Sequence, residues 1–207
     1  DILWRVRRSV PTLTVRGLSA PLVVEDVALI GFASGRLSAI DVNSGAELWN
    51  TRIFRARGSN EVSRLVDIDS DPYQIGERLV IAGFQARVSA LSLTTRRIDW
   101  DSDRSTLRPL GSVGDTLLIT ADDGAVIGLD IHSGAQLWQI NTLRGRGVSG
   151  PHGLHASGLA VVGDYKGLLY LIDVKSGVLV GRKKGSGGAV LGIFSDQASD
   201  QFITLSE

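Results

Sequence analysis

The chain of 207 residues contains no cysteine and no methionine, and its formal net charge is zero. Without cysteine, disulfides, thiolate catalysis and cysteine-based metal sites are excluded. A neutral chain has no long-range field that attracts nucleic acid, so we expect no nucleic-acid partner. There is also no apolar run as long as a membrane span and no signal peptide. We therefore expect a processed product or an excised piece, with any targeting segment elsewhere.

The sequence does contain a fourfold repeat. Each copy has alternating apolar residues, a polar turn and a second short apolar run, which predicts a β-hairpin. The copies are LSAIDVNSGAELW (37–49), VSALSLTTRRIDW (88–100), VIGLDIHSGAQLW (126–138) and LYLIDVKSGVLVG (169–181). In three copies an aspartate opens the turn and a glycine follows four residues later, a pairing that suits a tight turn. The second copy has Ser92 and Arg96 at these positions, so we expect its turn to differ.

Two further strands precede each hairpin, so that each repeat holds about four short strands. One position is marked in successive repeats at intervals of 45, 51, 38 and 43 residues, by Trp4, Trp49, Trp100, Trp138 and Gly181. Four-stranded units at this spacing predict an all-β fold, a β-propeller of four-stranded antiparallel blades. We treat residues 1–207 as one partial propeller domain. The tryptophans are expected to pack between blades and not to stack on a cofactor.

The two ends of the chain do not complete a ring. Trp4 is predicted to belong to the last strand of a blade whose earlier strands are absent. The tail ASDQFITLSE (198–207) aligns with ASGLAVVGDY (156–165), which ends at the second strand of a blade. We therefore expect an incomplete fragment, about four full blades plus parts of two, cut from a larger ring. Exposed edges at both ends would favour strand exchange between copies.

The longest interval, from Trp49 to Trp100, contains a charged insert, RIFRARGSNEVSRLVDIDSDP (52–72). Its D-x-D-x-D run at 67–71 starts like a calcium loop, which needs glycine at the sixth position and glutamate at the twelfth. Those positions are Pro72 and Arg78 here, and the run at 99–103 fails in the same way. We expect no calcium site in either run.

No catalytic set emerges from the remaining polar residues. The three histidines lack a metal-ligand spacing, and no serine lies in a G-x-S-x-G motif. Paired carboxylates can cleave glycosides, but Asp67 and Asp69 are expected on one polar face of a strand, with Ile68 on the other. The DDG at 122–124 is expected to be a turn. We therefore predict no enzyme activity, no metal and no cofactor.

Recognition of a protein partner is the function that the insert favours. The segment TLTVRGLSAP (12–21) enters the first complete blade one repeat before the insert. Corresponding junctions of adjacent blades share a rim, so Leu13, Val15 and Arg16 are predicted to join Asp67 and Asp69 in one surface. Arginine and apolar anchors are enriched at protein interfaces. Alternatively, Arg16 pairs with one of these aspartates and only braces two blades.

Several motifs resemble a known family. AIDVNSGAELW (39–49) matches the A-x-D-x-x-[ST]-G-x-x-x-W pattern of the pyrroloquinoline-quinone-like (PQQ-like) repeat. More specifically, RGLSAP (16–21), GRLSAIDVNSGAELW (35–49) and GSNEVSRLVDIDSDP (58–72) resemble the BamB family, lipoproteins of the bacterial β-barrel assembly machinery. The resemblance runs over the whole chain and corresponds to roughly the C-terminal half of that family.

This resemblance implies an eight-bladed propeller that acts as a non-enzymatic scaffold in the periplasm. An N-terminal lipid, on a cysteine upstream of Asp1, would tether it to the outer membrane. The implied partner is BamA, bound through one of its periplasmic POTRA domains, and unfolded outer-membrane proteins are a further transient candidate. The family's contact residues carry over as Leu13, Val15 and Arg16, and as Asp67 and Asp69. Val15 stands where a leucine is expected, which keeps the apolar character but shortens the reach.

Two other classes of protein use the same architecture. Quinone-dependent dehydrogenases place a cofactor, calcium and an acidic base over the channel of such a propeller, and this sequence offers no credible metal set. A generic propeller that binds a sugar or peptide in its channel is the third possibility, which pull-down from a periplasmic extract would distinguish from the assembly role.

Overall fold

A computed structural model of the chain describes residues 2–6, 19–32, 35–54, 68, 70–83, 87–185, 187–195 and 200–207. These residues form strands and turns. A search of this part of the chain finds no helix with the length and apolar character needed to cross a membrane. The chain divides into two compact units, Asp1–Leu107 and Arg108–Glu207.

The first unit contains two four-stranded antiparallel sheets, which we call blades 1 and 2. Blade 1 consists of β1 (Leu22–Val24), β2 (Val27–Phe32), β3 (Arg36–Asp41) and β4 (Glu47–Arg52). Blade 2 consists of β5 (Tyr73–Ile75), β6 (Arg78–Ile81), β7 (Val88–Ser92) and β8 (Ile98–Ser102). Each strand pairs with the next strand along the chain, which is the hairpin succession that the repeat predicts.

The second unit contains two more four-stranded antiparallel sheets, blades 3 and 4, and one two-stranded sheet. Blade 3 consists of β9 (Gly111–Val113), β10 (Thr116–Thr120), β11 (Val126–Asp130) and β12 (Gln136–Ile140). Blade 4 consists of β13 (His152–Leu154), β14 (Leu159–Gly163), β15 (Leu168–Asp173) and β16 (Val178–Lys184). The hairpin of β17 (Val190–Ser195) and β18 (Phe202–Ser206) completes the unit.

Burial differs between the inner and the outer strands of a blade. The strands β3, β7 and β11 each contain four consecutive buried residues, because they are covered on both faces of the sheet. The fourth strands β4 and β16 instead contain no buried residue and consist of exposed and half-buried residues. In the first unit the core joins both blades, and it consists of Leu29, Leu37, Ala39, Ile53, Phe54, Ile68, Leu79, Ile81 and Leu91. Each fully buried aliphatic side chain contributes about 2 kcal/mol.

The predicted aspartate–glycine turn is present between the third and fourth strands. Asp41 Oδ1 accepts hydrogen bonds from Ser44 N at 2.7 Å and from Ser44 Oγ at 2.6 Å. Gly45 N closes the turn on the Asp41 carbonyl at 2.8 Å, with φ at +71°. The bond from the serine hydroxyl, followed by the bond from its amide, lowers the pKa of Asp41, and the same arrangement lowers the pKa of Asp130 and Asp173.

The expectation that the turn of the second copy differs is wrong. Arg96 N donates to the Ser92 carbonyl at 2.8 Å, and Arg96 adopts φ +58°, close to the glycines of the other copies. Ser92 Oγ accepts from Thr95 N at 3.1 Å and so replaces the aspartate oxygen. The backbone geometry therefore persists after both side chains change, because a serine hydroxyl can accept the same bond and a positive φ is strained but not forbidden for arginine.

Tryptophan packs between blades, as the sequence predicts, and the structure shows that its contact is with this turn. The Trp138 indole N–H donates to the Val174 carbonyl at 2.7 Å, and a Cβ placed at Gly177 would overlap the Trp138 ring. Trp4 makes the equivalent bond to the Val42 carbonyl at 2.6 Å and lies on Gly45. Glycine is therefore required at these positions for two reasons: its backbone tolerates a positive φ, and its lack of a side chain leaves space for the ring.

In blade 2, the guanidinium of Arg96 lies 5.8 Å from the centre of the Trp49 ring. An arginine over an indole face gains a cation–π contact, so this pair replaces the ring-on-glycine packing found at the equivalent turns of blades 1 and 4.

Candidate partner-binding site

All five predicted partner-binding residues, Leu13, Val15, Arg16, Asp67 and Asp69, lie outside the described residues. The structure does describe the segments that follow them. Residues 19–21 lead into β1, and residues 68 and 70–72 lead into β5. These short segments adjoin the two predicted halves of the site along the chain.

Ile68, between the two predicted aspartates, is an anchor of the first unit. It is 2% exposed and belongs to the core shared by blades 1 and 2. Its side chain lies against Gly31, where a Cβ would overlap it and would also approach Ser19 Oγ to 3.0 Å. Ile68 is therefore directed into the core, but residues 68 and 70–72 are not in a strand, so the strand expected for this run is not found in its described part.

The residues after Ile68 are fixed by hydrogen bonds. Ser70 Oγ donates to the Ala82 carbonyl at 2.9 Å and accepts from Ala82 N at 3.2 Å. The Ala20 amide donates to Asp71 Oδ1 at 2.5 Å, across a separation of 51 residues. The segment that enters blade 1 and the segment that enters blade 2 are therefore bonded to each other at their ends.

The acidic run at 99–103 is explained by ion pairs with arginines of its own blade. Arg78 Nε lies 3.0 Å from Asp99 Oδ2. The Arg87 guanidinium contacts Asp101 with one nitrogen and lies 2.7 Å from Asp103 with the other. Carboxylates on and just after β8 thus neutralise Arg78 of β6 and Arg87, which precedes β7. Within the described ranges, no group of three or more histidines or acidic residues could hold a metal ion.

The corresponding junction in the second unit, between β12 and β13, is described throughout. Ser149 repeats the role of Ser70: its amide donates to the Gly163 carbonyl at 2.9 Å, and its Oγ accepts from Gly163 N at 3.0 Å. The Ser149 carbonyl accepts from Thr120 Oγ1 at 2.8 Å, which ties the junction to blade 3. In blades 2 and 4, a serine that precedes the first strand therefore hydrogen-bonds to both the amide and the carbonyl of one residue at the end of the second strand.

A buried carboxylate in blade 4 is a feature that sequence reasoning missed. Asp164 is fully buried, and its Oδ2 accepts from Arg146 Nε at 2.8 Å, Arg146 Nη2 at 2.7 Å and the Tyr170 hydroxyl at 3.0 Å. Its Oδ1 accepts from the amides of Lys166 and Leu168 at 2.9 and 3.0 Å. A lone aspartate after a glycine has no periodic signal, and its arginine is 18 residues away, so neither residue suggests the other in the sequence.

The pKa shifts in this cluster follow from its burial and from these hydrogen bonds. Burial alone would raise the pKa of Asp164, but the bonds from the Leu168 amide, Arg146, the Lys166 amide and Tyr170 together lower it. Burial, and then the bond to Asp164, raise the pKa of Tyr170. The bond to Asp164 raises the pKa of Arg146. Both oxygens of the Asp164 carboxylate accept hydrogen bonds from protein donors. The cluster therefore stabilises the junction between β12 and β13, which contains Arg146.

A second missed contact joins blade 4 to the hairpin of β17 and β18. His152 Nε2 lies 2.6 Å from Ser195 Oγ. Burial, with a smaller effect from His155, lowers the pKa of His152. Among the described residues no carboxylate is bonded to this imidazole, so the pair lacks the orienting acid that an activated serine nucleophile uses.

The successive four-stranded antiparallel blades, with a tryptophan of one packed on the turn of the next, define the protein as a β-propeller. A crystal structure of BamB from Moraxella catarrhalis matches the chain with a TM-score of 0.85 and 29% sequence identity, covering 94% of this chain and 58% of that chain.

Sequence comparison assigns the family. The family model described as outer membrane protein assembly factor BamB matches residues 1–140. The protein of that name from Pseudomonas aeruginosa is 33% identical over 176 residues, which is 85% of this chain and 46% of that protein. The Escherichia coli K12 protein is 30% identical over 179 residues, which is 86% and 45%. The chain belongs to the BamB family, and it spans about half the length of the curated relatives that it matches.

A europium-containing methanol dehydrogenase also shares the fold. Its TM-score is 0.64 at 13% identity, over 89% of this chain and 45% of that chain. At this identity the likeness concerns the fold alone and gives no support to a dehydrogenase activity.

Proposed function

We propose that this chain is part of a non-enzymatic scaffold of the outer-membrane β-barrel assembly machinery. It binds the periplasmic POTRA region of BamA and assists the folding and insertion of outer-membrane proteins. In the full-length protein an N-terminal lipid holds it on the periplasmic side of the outer membrane. Membership of the BamB family supports this proposal.

The observation that carries the proposal is the hydrogen bond between Ala20 N and Asp71 Oδ1. Arg16 precedes Ala20 by four residues, and Asp67 precedes Asp71 by four. Four residues span at most about 14 Å even when fully extended. Arg16 and Asp67 are thus each at most four residues along the chain from one bonded junction, which supports the proposal of a common docking surface.

In this surface Leu13 and Val15 supply desolvated apolar contact with the partner. Arg16 and the two aspartates, Asp67 and Asp69, make charge-assisted hydrogen bonds that fix its orientation. Both signs of charge within one patch fit a protein partner better than an anionic polymer or membrane, which would select cations alone. Unfolded outer-membrane proteins are proposed as transient clients of the same scaffold.

Charge reversal tests the site directly. Arg16→Glu and Asp67→Arg, introduced separately into the full-length protein, should each abolish co-purification with BamA, because each places a like charge against the partner. Far-ultraviolet circular dichroism should stay unchanged. Arg97→Glu and Glu77→Arg provide matched controls, since Glu77 is exposed in the turn between β5 and β6 and Arg97 is exposed just before β8.

Binding that survives both site variants with an unchanged spectrum would remove the site assignment. Equal loss of binding in the control variants would show that general surface charge, and not this junction, attracts BamA.

A further inference from the structure

The fourth strand of blade 4 is chemically unlike the other fourth strands. We call Val178–Lys184 (β16) the basic edge strand. All four lysines of the chain lie in this blade, at 166, 175, 183 and 184, whereas arginine supplies every other basic residue. At seven residues β16 exceeds the five or six of β4, β8 and β12. It also has Gly181 at the position of the repeat tryptophan.

The cations of the basic edge strand are not neutralised by the blade. Arg182, Lys183 and Lys184 are exposed, and within the described part of the chain none of them forms an ion pair. Nearby carboxylates are occupied elsewhere: Asp164 is buried with Arg146, and Asp173 holds its own turn. On β8, by contrast, Asp99 and Asp101 pair with arginines of the same sheet.

The backbone of the strand is also available. β16 is the last strand in the sheet order β13-β14-β15-β16, and no strand in the described ranges pairs with its outer edge. Alternate N–H and C=O groups of an edge strand point away from the sheet and can receive another strand. Val178 and Val180 add apolar surface along the same strand, being 54% and 56% exposed.

We propose that the basic edge strand binds an extended polypeptide segment that carries carboxylates among apolar residues. The segment adds to blade 4 as a fifth strand through main-chain hydrogen bonds. Its carboxylates pair with those cations of the run 182–184 that share their face of the sheet, because consecutive residues of a strand point to opposite faces. Its apolar side chains contact Val178 and Val180. Charge complementarity selects the segment and sets its position along the edge.

The observations favour a peptide over an anionic membrane. Membrane-binding basic segments usually gather about four to eight cations, whereas this strand presents three in a row at one end. A linear edge of unpaired backbone groups matches a strand and has no counterpart in a lipid surface. This proposal is independent of the proposed function, because the basic edge strand belongs to the second unit, whereas the predicted BamA site belongs to the first.

The test uses a fluorescein-labelled octapeptide of alternating glutamate and valine, titrated with the full chain and followed by fluorescence anisotropy at low salt. We expect saturable binding, weakened at least tenfold by the double variant K183E/K184E. Lys175→Glu is the control for charge reversal, since Lys175 is an exposed lysine of the same blade in the turn at the other end of β16. It should leave the affinity unchanged.

Two N-methylated peptides separate strand addition from simple charge attraction. Only alternate residues of an added strand direct their N–H groups to the neighbouring edge. Methylation of one alternate set should abolish binding, and methylation of the other set should preserve it. Binding that tolerates both sets, or that persists in K183E/K184E, overturns the proposal.

Two further results would also overturn it. Absence of peptide binding would mean that the lysines only discourage edge-to-edge aggregation, which is a common use of lysine on edge strands. Binding to phosphatidylglycerol-containing vesicles that needs Lys183 and Lys184, without peptide binding, would identify a membrane surface instead.

Discussion

At the residue scale, two glycines of blade 4 share a backbone conformation but differ in their surroundings. Gly158 and Gly177 have φ of +71° and +68°. A Cβ at Gly158 would meet nothing within 4 Å, whereas a Cβ at Gly177 would overlap the Trp138 ring. Gly158 is therefore constrained by its backbone alone, and Gly177 by its backbone and by packing.

Alanine at these two positions should separate the two constraints. Gly158→Ala should lower the free energy of unfolding by about 1 kcal/mol, the cost of a left-handed conformation. Gly177→Ala should lower it by a further ~1–3 kcal/mol, because the added methyl group displaces the indole. Urea unfolding of both variants against the wild type measures the difference. Equal losses would contradict the packing role of Trp138.

The buried carboxylate of blade 4 gives a second residue-scale prediction. In Asp164→Asn an amide group must face donors from Arg146 and Tyr170, so charge-assisted bonds are lost. We expect a loss of about 2 kcal/mol in the free energy of unfolding. Asp123→Asn is the control, since Asp123 pairs with Arg144 at 2.9 Å but both side chains are about half exposed. Its loss should be below about 1 kcal/mol.

The pH dependence of the same variant has a defined sign. The folded state lowers the pKa of Asp164, so its carboxylate stabilises the fold fully above the unfolded value, near pH 4. That contribution disappears as the pH falls through the folded pKa. The stability difference between wild type and Asp164→Asn should therefore shrink below pH 4. A difference that grows on acidification would contradict the assignment.

At the scale of elements, the contact of β13 with β17 depends on a neutral imidazole. Burial lowers the pKa of His152, so the unfolded chain takes up a proton near pH 6.5 before the folded chain does. Stability from the bond to Ser195 is therefore complete above about pH 6.5 and is lost as the pH falls through the folded pKa.

The variant His152→Gln should remove this pH dependence of the unfolding free energy. Unfolding free energies of wild type and His152→Gln, measured from pH 7.5 to pH 5, should converge as the pH falls. His132→Gln is the control, since His132 is 58% exposed and lies 3.5 Å from Asp115 in another part of the unit. That variant keeps His152 and its bond to Ser195, so a difference between the two variants reports on His152 itself. If His152→Gln keeps the wild-type pH dependence, the histidine does not link the two strands through its neutral form.

At the scale of the whole molecule, the two proposed surfaces lie in different compact units of the chain. The junction near Ala20 and Asp71 belongs to the first unit, and the basic edge strand belongs to the second. Independent sites give additive effects. K183E/K184E should therefore leave BamA co-purification unchanged, and Arg16→Glu should leave the octapeptide affinity unchanged. Loss of both activities in either variant would show that the surfaces are coupled or that the variant is misfolded.

Much of the architecture was predictable because the repeat is a local property. The four hairpins, the turns at Asp41, Asp130 and Asp173, and the packing of Trp4 and Trp138 follow from residues spaced within one or two blades. The prediction for the turn at Ser92 is wrong because two side-chain changes do not require a new backbone. The structure shows that the backbone is set by the strands on either side, and other side chains can complete the same bonds.

The succession of strands, the turn chemistry and the positions where a ring must pack can be read from the residues alone, since period and residue type encode them directly. Which distant groups meet depends instead on the packing of the folded chain. Ala20 with Asp71, Arg146 with Asp164 and His152 with Ser195 are separated by 51, 18 and 43 residues. Contacts of this kind depend on how one sheet lies against the next, and no periodicity along the chain specifies that geometry.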